Sequence, residues 1–190
     1  RVSCSSRTGP SFQPGMTTQA LPPWRPMLKA AQKREGRSPS ARWLQLATVG
    51  SNGEPRVRTL VFRGWTEANQ LELFTDTRSQ KIKDLDHQQA VEICWLFTKA
   101  REQYRFRGLA NVITIDTNQG LCHRKWLNLT PSGRAVWGWP SPGQTLNRKA
   151  TFPEALSDEE PMPNHFSVVQ IVIQQVERLH LGPHPHRRMR

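Results

Sequence analysis

The sequence predicts a small, mainly β fold: an antiparallel β-barrel with helices set between its strands. Three observations carry this. Stretches of β-rich or alternating residues recur at "WLQLATVG", "RVRTLVFRGW", "QLELFTD", "AVEICWLFT", "QYRFRGLANVITID" and "FSVVQIVIQQVERLHL". The last two are long enough to bend around a barrel. The helical segments are few and short, and no internal repeat is present.

In chain order, "PPWRPMLKAAQKREGR" reads as a short helix, with Trp24, Leu28 and Ala31 on one face and Gly36 ending it. "SPSARW" links it to the first strand, where Trp43, Gln45 and Ala47 face one way and Leu44, Leu46 and Thr48 the other. Asn52-Gly53 accepts positive φ in a tight hairpin, so the strand through Arg58 and Arg63 returns antiparallel. Further helices are expected at Ser79–His87, Asn118–Leu129 and Thr151–Leu156, and "SDEEPMPNH" is a polar loop. The domain reading is a leader over 1–15, a helix and linker over 16–42, and one barrel domain over 43–190.

The net charge of +12 first points to nucleic acid. Its distribution argues against that. Residues 1–42 carry eight Lys/Arg against one Glu and the closing "RRMR" adds three Arg, which leaves only +2 on residues 43–186. No broad basic stripe can track a nucleic-acid backbone. The three cysteines, Cys4, Cys94 and Cys122, are far apart and form no C-x-x-C pair, so neither a disulfide framework nor a zinc site is expected. The six His lack metal-ligand spacing outside "HPH" at 184–186, and no metal is assigned. No stretch approaches the roughly 18 to 20 apolar residues of a membrane span. A cytoplasmic location follows, or a plastid if the Ser- and Arg-bearing, acid-free residues 1–15 are a transit-peptide remnant.

Chemistry concentrates in "FTDTRSQKIKDL", residues 74–85. Thr75, Thr77 and Ser79 offer hydroxyls, and Ser79 suits the cap of the following helix. A helix start carries free N–H groups and partial positive charge, and Lys81 in its first turn adds a full one. That combination suits an anion; a solvated turn with a surface Lys is the ordinary alternative. Upstream, alternation puts Arg58 with Leu60 and Phe62, and Thr59 with Val61 and Arg63. An Arg on a core-like face needs an acceptor. In "REQYRFRG", Gln103 and Arg105 share one strand face, which suits a planar partner bearing donors and acceptors or a solvated surface. Trp126, Trp137 and Trp139 lie close to Arg134, either stacking a ligand or partner or plugging a barrel mouth.

Taken in order, "RTLVFRG", "FTDTRSQKIKDL", "EICWLFTKAREQYRFRG", "WLNLTPSGRAVWGWPSPG" and "PHPHRRMR" resemble the FMN-binding split barrel of the pyridoxamine 5′-phosphate oxidase superfamily, in its cyanobacterial and plant branch, over about residues 24–190. The resemblance implies FMN as cofactor and a homodimer that shares each flavin site. It lays Arg58, Thr59, Leu60, Val61, Phe62 and Arg63 along FMN. It places Phe74, Thr75, Ser79, Gln80 and Lys81 around the FMN phosphate, with Gln103, Gln144 and Arg188 as further contacts. An ungapped reading puts Trp126, Thr130 and Arg134 where the oxidase holds its substrate's phosphate, and Arg63 joins them as a guanidinium suited to an anion.

The departures from the family pattern are specific. Gln80 stands where the oxidase has Arg, Leu179 near where it has a flavin-contacting Trp, and "HPH" where it has Arg-Leu-His. The chain also stops at Arg190, short of the final strand that family members usually have. The implied function is an FMN-dependent oxidoreductase moving a hydride from a small anionic substrate, with the flavin carrying the chemistry and no residue marked as a general base. The altered substrate positions keep a second expectation, a non-catalytic split barrel that binds a flavin or a tetrapyrrole.

Overall fold

In the computed structural model residues 21–190 are described; the leader over 1–15 and Cys4 lie outside them. Helix α1 (Trp24–Glu35) buries Leu28, Ala31 and Glu35, and Gly36, at φ 61, releases the chain. The strands are β1 (Trp43–Val49), β2 (Pro55–Trp65), β3 (Leu71–Asp76), β4 (Ala90–Phe97), β5 (Glu102–Ile113), β6 (Phe166–His180) and a short β7 (Arg187–Met189). Between them lie α2 (Gln80–His87), α3 (Ile115–Leu127) and α4 (Pro131–Arg134), the last continued by a 3₁₀ turn over Ala135–Gly138.

Every strand pairing is antiparallel, in the order β3-β2-β1-β4-β5-β6-β7. A further pairing of β3 with β6 closes the first six into a barrel. The chemistry of the hairpin explains its first turn: Val49 pairs with Pro55, and Gly53 takes φ 79. β6 closes the barrel because its first half pairs with β5 and β3 at once, while its second half pairs with β5 and β7.

Alternation fills the barrel from both walls. Leu44, Leu46, Leu73, Ile93, Trp95, Tyr104, Phe106, Val169 and Ile171 are completely or almost completely buried in one core. Helix α1 lies against it through Leu28 and through Trp24, whose ring meets Trp65 at 5.4 Å and Phe106 at 5.5 Å. Glu35 fixes the far end of α1. Its carboxylate accepts from Ser40 Oγ (2.6 Å), Thr98 Oγ1 (3.2 Å) and the Lys99 and Ala100 amides (2.7 and 3.3 Å). Burial pushes this carboxyl up, but the bonds from Ser40, Ala100, Lys99 and Thr98 outweigh it and hold the group below its ordinary value.

A second, smaller core under α3 joins Cys122, Trp126, Trp137, Phe166 and Val168. Here two expectations change. The helix expected over Thr151–Leu156 is absent: Pro153 biases the residue before it away from helical geometry, and the Pro153 carbonyl accepts the Trp139 indole N–H at 2.9 Å. The Leu156 amide instead donates to the Pro131 carbonyl. The helix expected over 118–129 begins earlier, at Ile115, with Thr114 and Thr117 forming a reciprocal cap, and is kinked at Asn118.

Candidate functional site

The corner that closes β3 is built from four elements. Lys81, in the first turn of α2, donates from Nζ to Thr75 Oγ1 and to Ser79 Oγ, both at 2.8 Å. Ser79 donates in turn to the Asp76 carbonyl at 2.7 Å, so its hydroxyl is turned away from the helix and no side chain caps α2. Its first N–H groups therefore remain oriented for an outside acceptor.

Behind this corner Arg58 reaches across from β2. Its guanidinium donates to Thr48 Oγ1 (2.7 Å) and to Asp84 Oδ2 (3.2 Å), and Arg56 donates to Asp84 Oδ1 (3.0 Å). Asp84 is nearly fully buried; its burial raises its pKa, yet Thr48, Gln80, Arg56 and Arg58 together hold it below the ordinary value. One carboxylate thus serves two arginines, and Asp76 is already gripped by Arg78 at 2.6 Å. Lys81 is left with hydroxyls alone for partners. Burial, then the nearby Arg58, push it down from 10.5 to about 8, against weaker opposing pulls from Asp76 and Asp84. A desolvated cation beside a second cation and an uncapped helix start is a site for an oxyanion.

A cleft of about 490 Å³ runs along β2 and β3 and meets this corner at Thr75 and Asp76, while Lys81, Ser79 and Arg58 lie outside its lining. Thr59, Val61 and Arg63 line one side with Phe74 and Thr75, and the segment after α3 supplies the other through Val136, Trp137 and Trp139. The alternation read from the sequence explains most of the first wall, since Arg58 and Phe62 turn inward, whereas Leu60 packs against the core and also lines the cleft. What it did not reveal is a bulge. Phe62 pairs with Leu73 and Gly64 with Glu72, so Arg63 is the extra residue. Bulges re-aim side chains beside sites, and Arg63 here sits with its guanidinium carbon 5.5 Å from the Phe74 ring centroid.

The remaining expected residues fall elsewhere. Gln80 is exposed and reaches only Asp84, at 3.5 Å. Gln144 is exposed in the loop beyond the cleft wall. Gln103, Leu179 and Arg188 lie in one row across β5, β6 and β7, directly opposite one another. Paired residues share a face, and none of the three lines the chain's own cleft.

Of the residues expected at the substrate phosphate, Arg63 lines the cleft, and the other three do not come together there. Trp126 is buried, its ring 5.4 Å from Phe166. Thr130 caps α4 by accepting the Gly133 amide at 3.1 Å. Arg134 is 1% exposed, and its guanidinium donates to the Trp126, Leu127 and Ser157 carbonyls and to Asp158 Oδ1 (2.7 Å). Those bonds occupy the fork inside the fold and tie the loop after Ser157 to α3.

Comparison with known proteins bears on the family and the fold. Residues 21–114 match the family model for the pyridoxamine 5′-phosphate oxidase FMN-binding domain. Over 150 residues the chain is 31% identical to pyridoxine/pyridoxamine 5′-phosphate oxidase 2 of Arabidopsis thaliana, covering 75% of this chain and 76% of that protein. A crystal structure of a pyridoxamine 5′-phosphate oxidase-related, FMN-binding protein from Nostoc punctiforme is 38% identical, with a TM-score of 0.81 over 90% of this chain and 91% of the other. PhzG from Burkholderia lata shares the fold at a TM-score of 0.70 and 18% identity, over 90% of this chain and 91% of its own.

Proposed function

Because this chain belongs to the pyridoxamine 5′-phosphate oxidase FMN-binding family, we propose that it is a homodimeric, FMN-dependent oxidoreductase acting on a small anionic substrate. The observation that carries the cofactor half is the Lys81 corner: a half-buried ammonium with hydroxyl partners only, next to Arg58 and an uncapped helix start. These groups, with Thr75 and Ser79, fit a terminal phosphate. The backbone and outward side chains of Thr59–Arg63, with Phe74, then flank the ring system along the cleft.

When bound, the flavin supplies hydride acceptance. The chain's own residues bind and orient. Arg63, aimed by the bulge and half-desolvated against Phe74, holds an anionic substrate group beside the ring. Gln103 and Arg188, set in one row on the outer sheet face, reach a flavin only across a two-fold interface, from a second copy. Gln144 reaches the ring only if its exposed loop folds over the cleft.

The state of Lys81 gives a pH signature. A phosphate beside it favours the charged ammonium, so binding above pH 8 takes up a proton. FMN affinity is expected to be flat between about pH 7 and 8 and then to fall by about tenfold per pH unit, since a phosphate monoester is already fully ionised there. Without flavin the sign reverses. The folded pKa lies below the unfolded one, so this group makes the protein more stable as pH rises from about 8 toward 10.5. Fluorescence titrations of FMN at pH 7 to 10 measure the first effect, and an unchanged affinity across that range would contradict it.

A second reading, a flavin- or tetrapyrrole-binding barrel that does not turn over pyridoxamine 5′-phosphate, is favoured by one observation: Arg134 and Trp126 are buried instead of lining the cleft. Mixing the protein with FMN and pyridoxamine 5′-phosphate under air, and following pyridoxal phosphate and peroxide, separates the two. Product formation supports the oxidase. A flavin spectrum at full occupancy with no product leaves the binding module.

A further inference from the structure

Arg56, Arg58 and Lys81 gather around one buried carboxylate on α2. Asp84, its side chain 1% exposed, stands one turn along the helix from Lys81. Its Oδ2 accepts from Thr48 Oγ1 at 2.8 Å and from Arg58 Nη2 at 3.2 Å, and its Oδ1 accepts from Arg56 Nη1 at 3.0 Å. Among the described residues Arg56 and Arg58 pair with no other carboxylate. Asp76, the other acid beside the corner, is held through both oxygens by Arg78.

Thr48 links the carboxylate to Arg58 a second time. It donates to Asp84 and accepts from Arg58 Nη1 at 2.7 Å, and the same Nη1 reaches the Leu46 and Arg56 carbonyls at 3.3 Å. One end of the guanidinium is thus committed to β1, β2 and α2, which fixes its plane, while its Nε–H has no protein partner among the described residues. The charged groups that act on Lys81 are Arg58 from β2, Asp76 at the end of β3 and Asp84 on its own helix. His165 lies beyond Asp76, 3.9 Å from its carboxylate. Arg58 opposes the charge on Lys81, and the two carboxylates support it.

We propose that Asp84 is a positioning residue for the flavin phosphate: it aims Arg58 and supplies the counter-charge that lets Arg58 and Lys81 stand side by side as cations. The identity of the ligand rests on the flavin reading above; the arrangement rests on the hydrogen bonds. A buried carboxylate beside a phosphate site would ordinarily repel the ligand. Here both of its oxygens are covered by donors, and Arg56, Arg58 and Lys81 less Asp84 leave two positive charges, the match for a phosphate dianion.

Two titrations test it. The first needs no flavin: NMR of isotope-labelled lysine follows the Lys81 ammonium in the ligand-free protein, where the midpoint is expected at about 8. Asp84→Asn should lower that midpoint by about one pH unit. Asp84→Glu, which keeps the charge, should restore most of it, and Arg56→Gln, which removes a cation from the other side of the carboxylate, should move it up. The second is FMN affinity across the same pH range, with riboflavin, which has no phosphate, as the control ligand. In Asp84→Asn the fall in FMN affinity should begin at lower pH, giving a roughly tenfold loss at about pH 8.5, while riboflavin affinity changes less than about twofold. A Lys81 midpoint left in place by Asp84→Asn would overturn the proposal. So would equal losses of riboflavin and FMN, or downward shifts in both Asp84→Asn and Arg56→Gln, which mark loosened packing. If the unaltered protein binds no FMN, the flavin reading falls and the lysine titration still decides the role of Asp84.

Discussion

Lys81→Ala is expected to weaken FMN binding by about 10- to 100-fold, the loss of a charge-assisted bond worth about 1.5–3 kcal/mol. The flavin-free protein should meanwhile change in stability by less than about 1 kcal/mol. The two halves follow from the same geometry. Lys81 has no carboxylate partner, is pushed down to about 8 by burial and by Arg58, and costs the empty fold something when charged. Its removal therefore relieves as well as loses contacts, whereas an arriving phosphate loses the ammonium beside it. Flavin fluorescence titration beside a denaturant melt of the flavin-free variant reads both. The steep decline in affinity above pH 8 should also vanish in this variant. An affinity equal to that of the unaltered protein would remove the anion corner from the account.

Gly108→Ala should destabilise the protein by about 4 kcal/mol or more, enough to leave a domain of ordinary stability largely unfolded. A Cβ at this position would stand 2.1 Å from the Val172 carbonyl oxygen and 3.0 Å from its carbon. Both are backbone atoms of β6, at the irregularity where Arg107 pairs with Gln175 and Gly108 with Ile173. No side chain can swing aside to make room. The control is Gly120→Ala in α3, where the nearest atom is the Arg124 side chain at 3.5 Å and the change should be within about 1 kcal/mol of neutral or stabilising. Chemical denaturation of the pair decides it. A Gly108→Ala midpoint close to that of the Gly120→Ala control would show that the strands do not approach so closely.

What could be read from the sequence was whatever depends on neighbours along the chain. The period-two alternation of β1 and β2, the Asn52-Gly53 turn and the helix start at Ser79 are local signals, and each places a residue of the corner. Residues joined only by the closed barrel left weaker marks. Asp84 sits between Ile82 and Leu85 on the buried side of α2, a charged residue on an apolar face, and that was the available hint of its pairing with Arg58. The bulge at Arg63 depends on the count of residues in β3 as well as β2. Arg134 illustrates the converse error: a guanidinium near three tryptophans looks like a ligand anchor until Asp158 and three carbonyls are seen to consume it.

The double pairing of β6 has a consequence for synthesis. The groups of the anion corner, Thr48 through Asp84, leave the ribosome well before Val168–Ile171, the segment that bonds β3 on one flank and β5 on the other. Until then both of those strands present open edges, and Leu71, Leu73 and Phe106 lack the wall that seals them from water. The nascent chain thus acquires its polar chemistry early and its dry interior late, which makes the interval before residue 171 emerges the one most exposed to aggregation and chaperone capture.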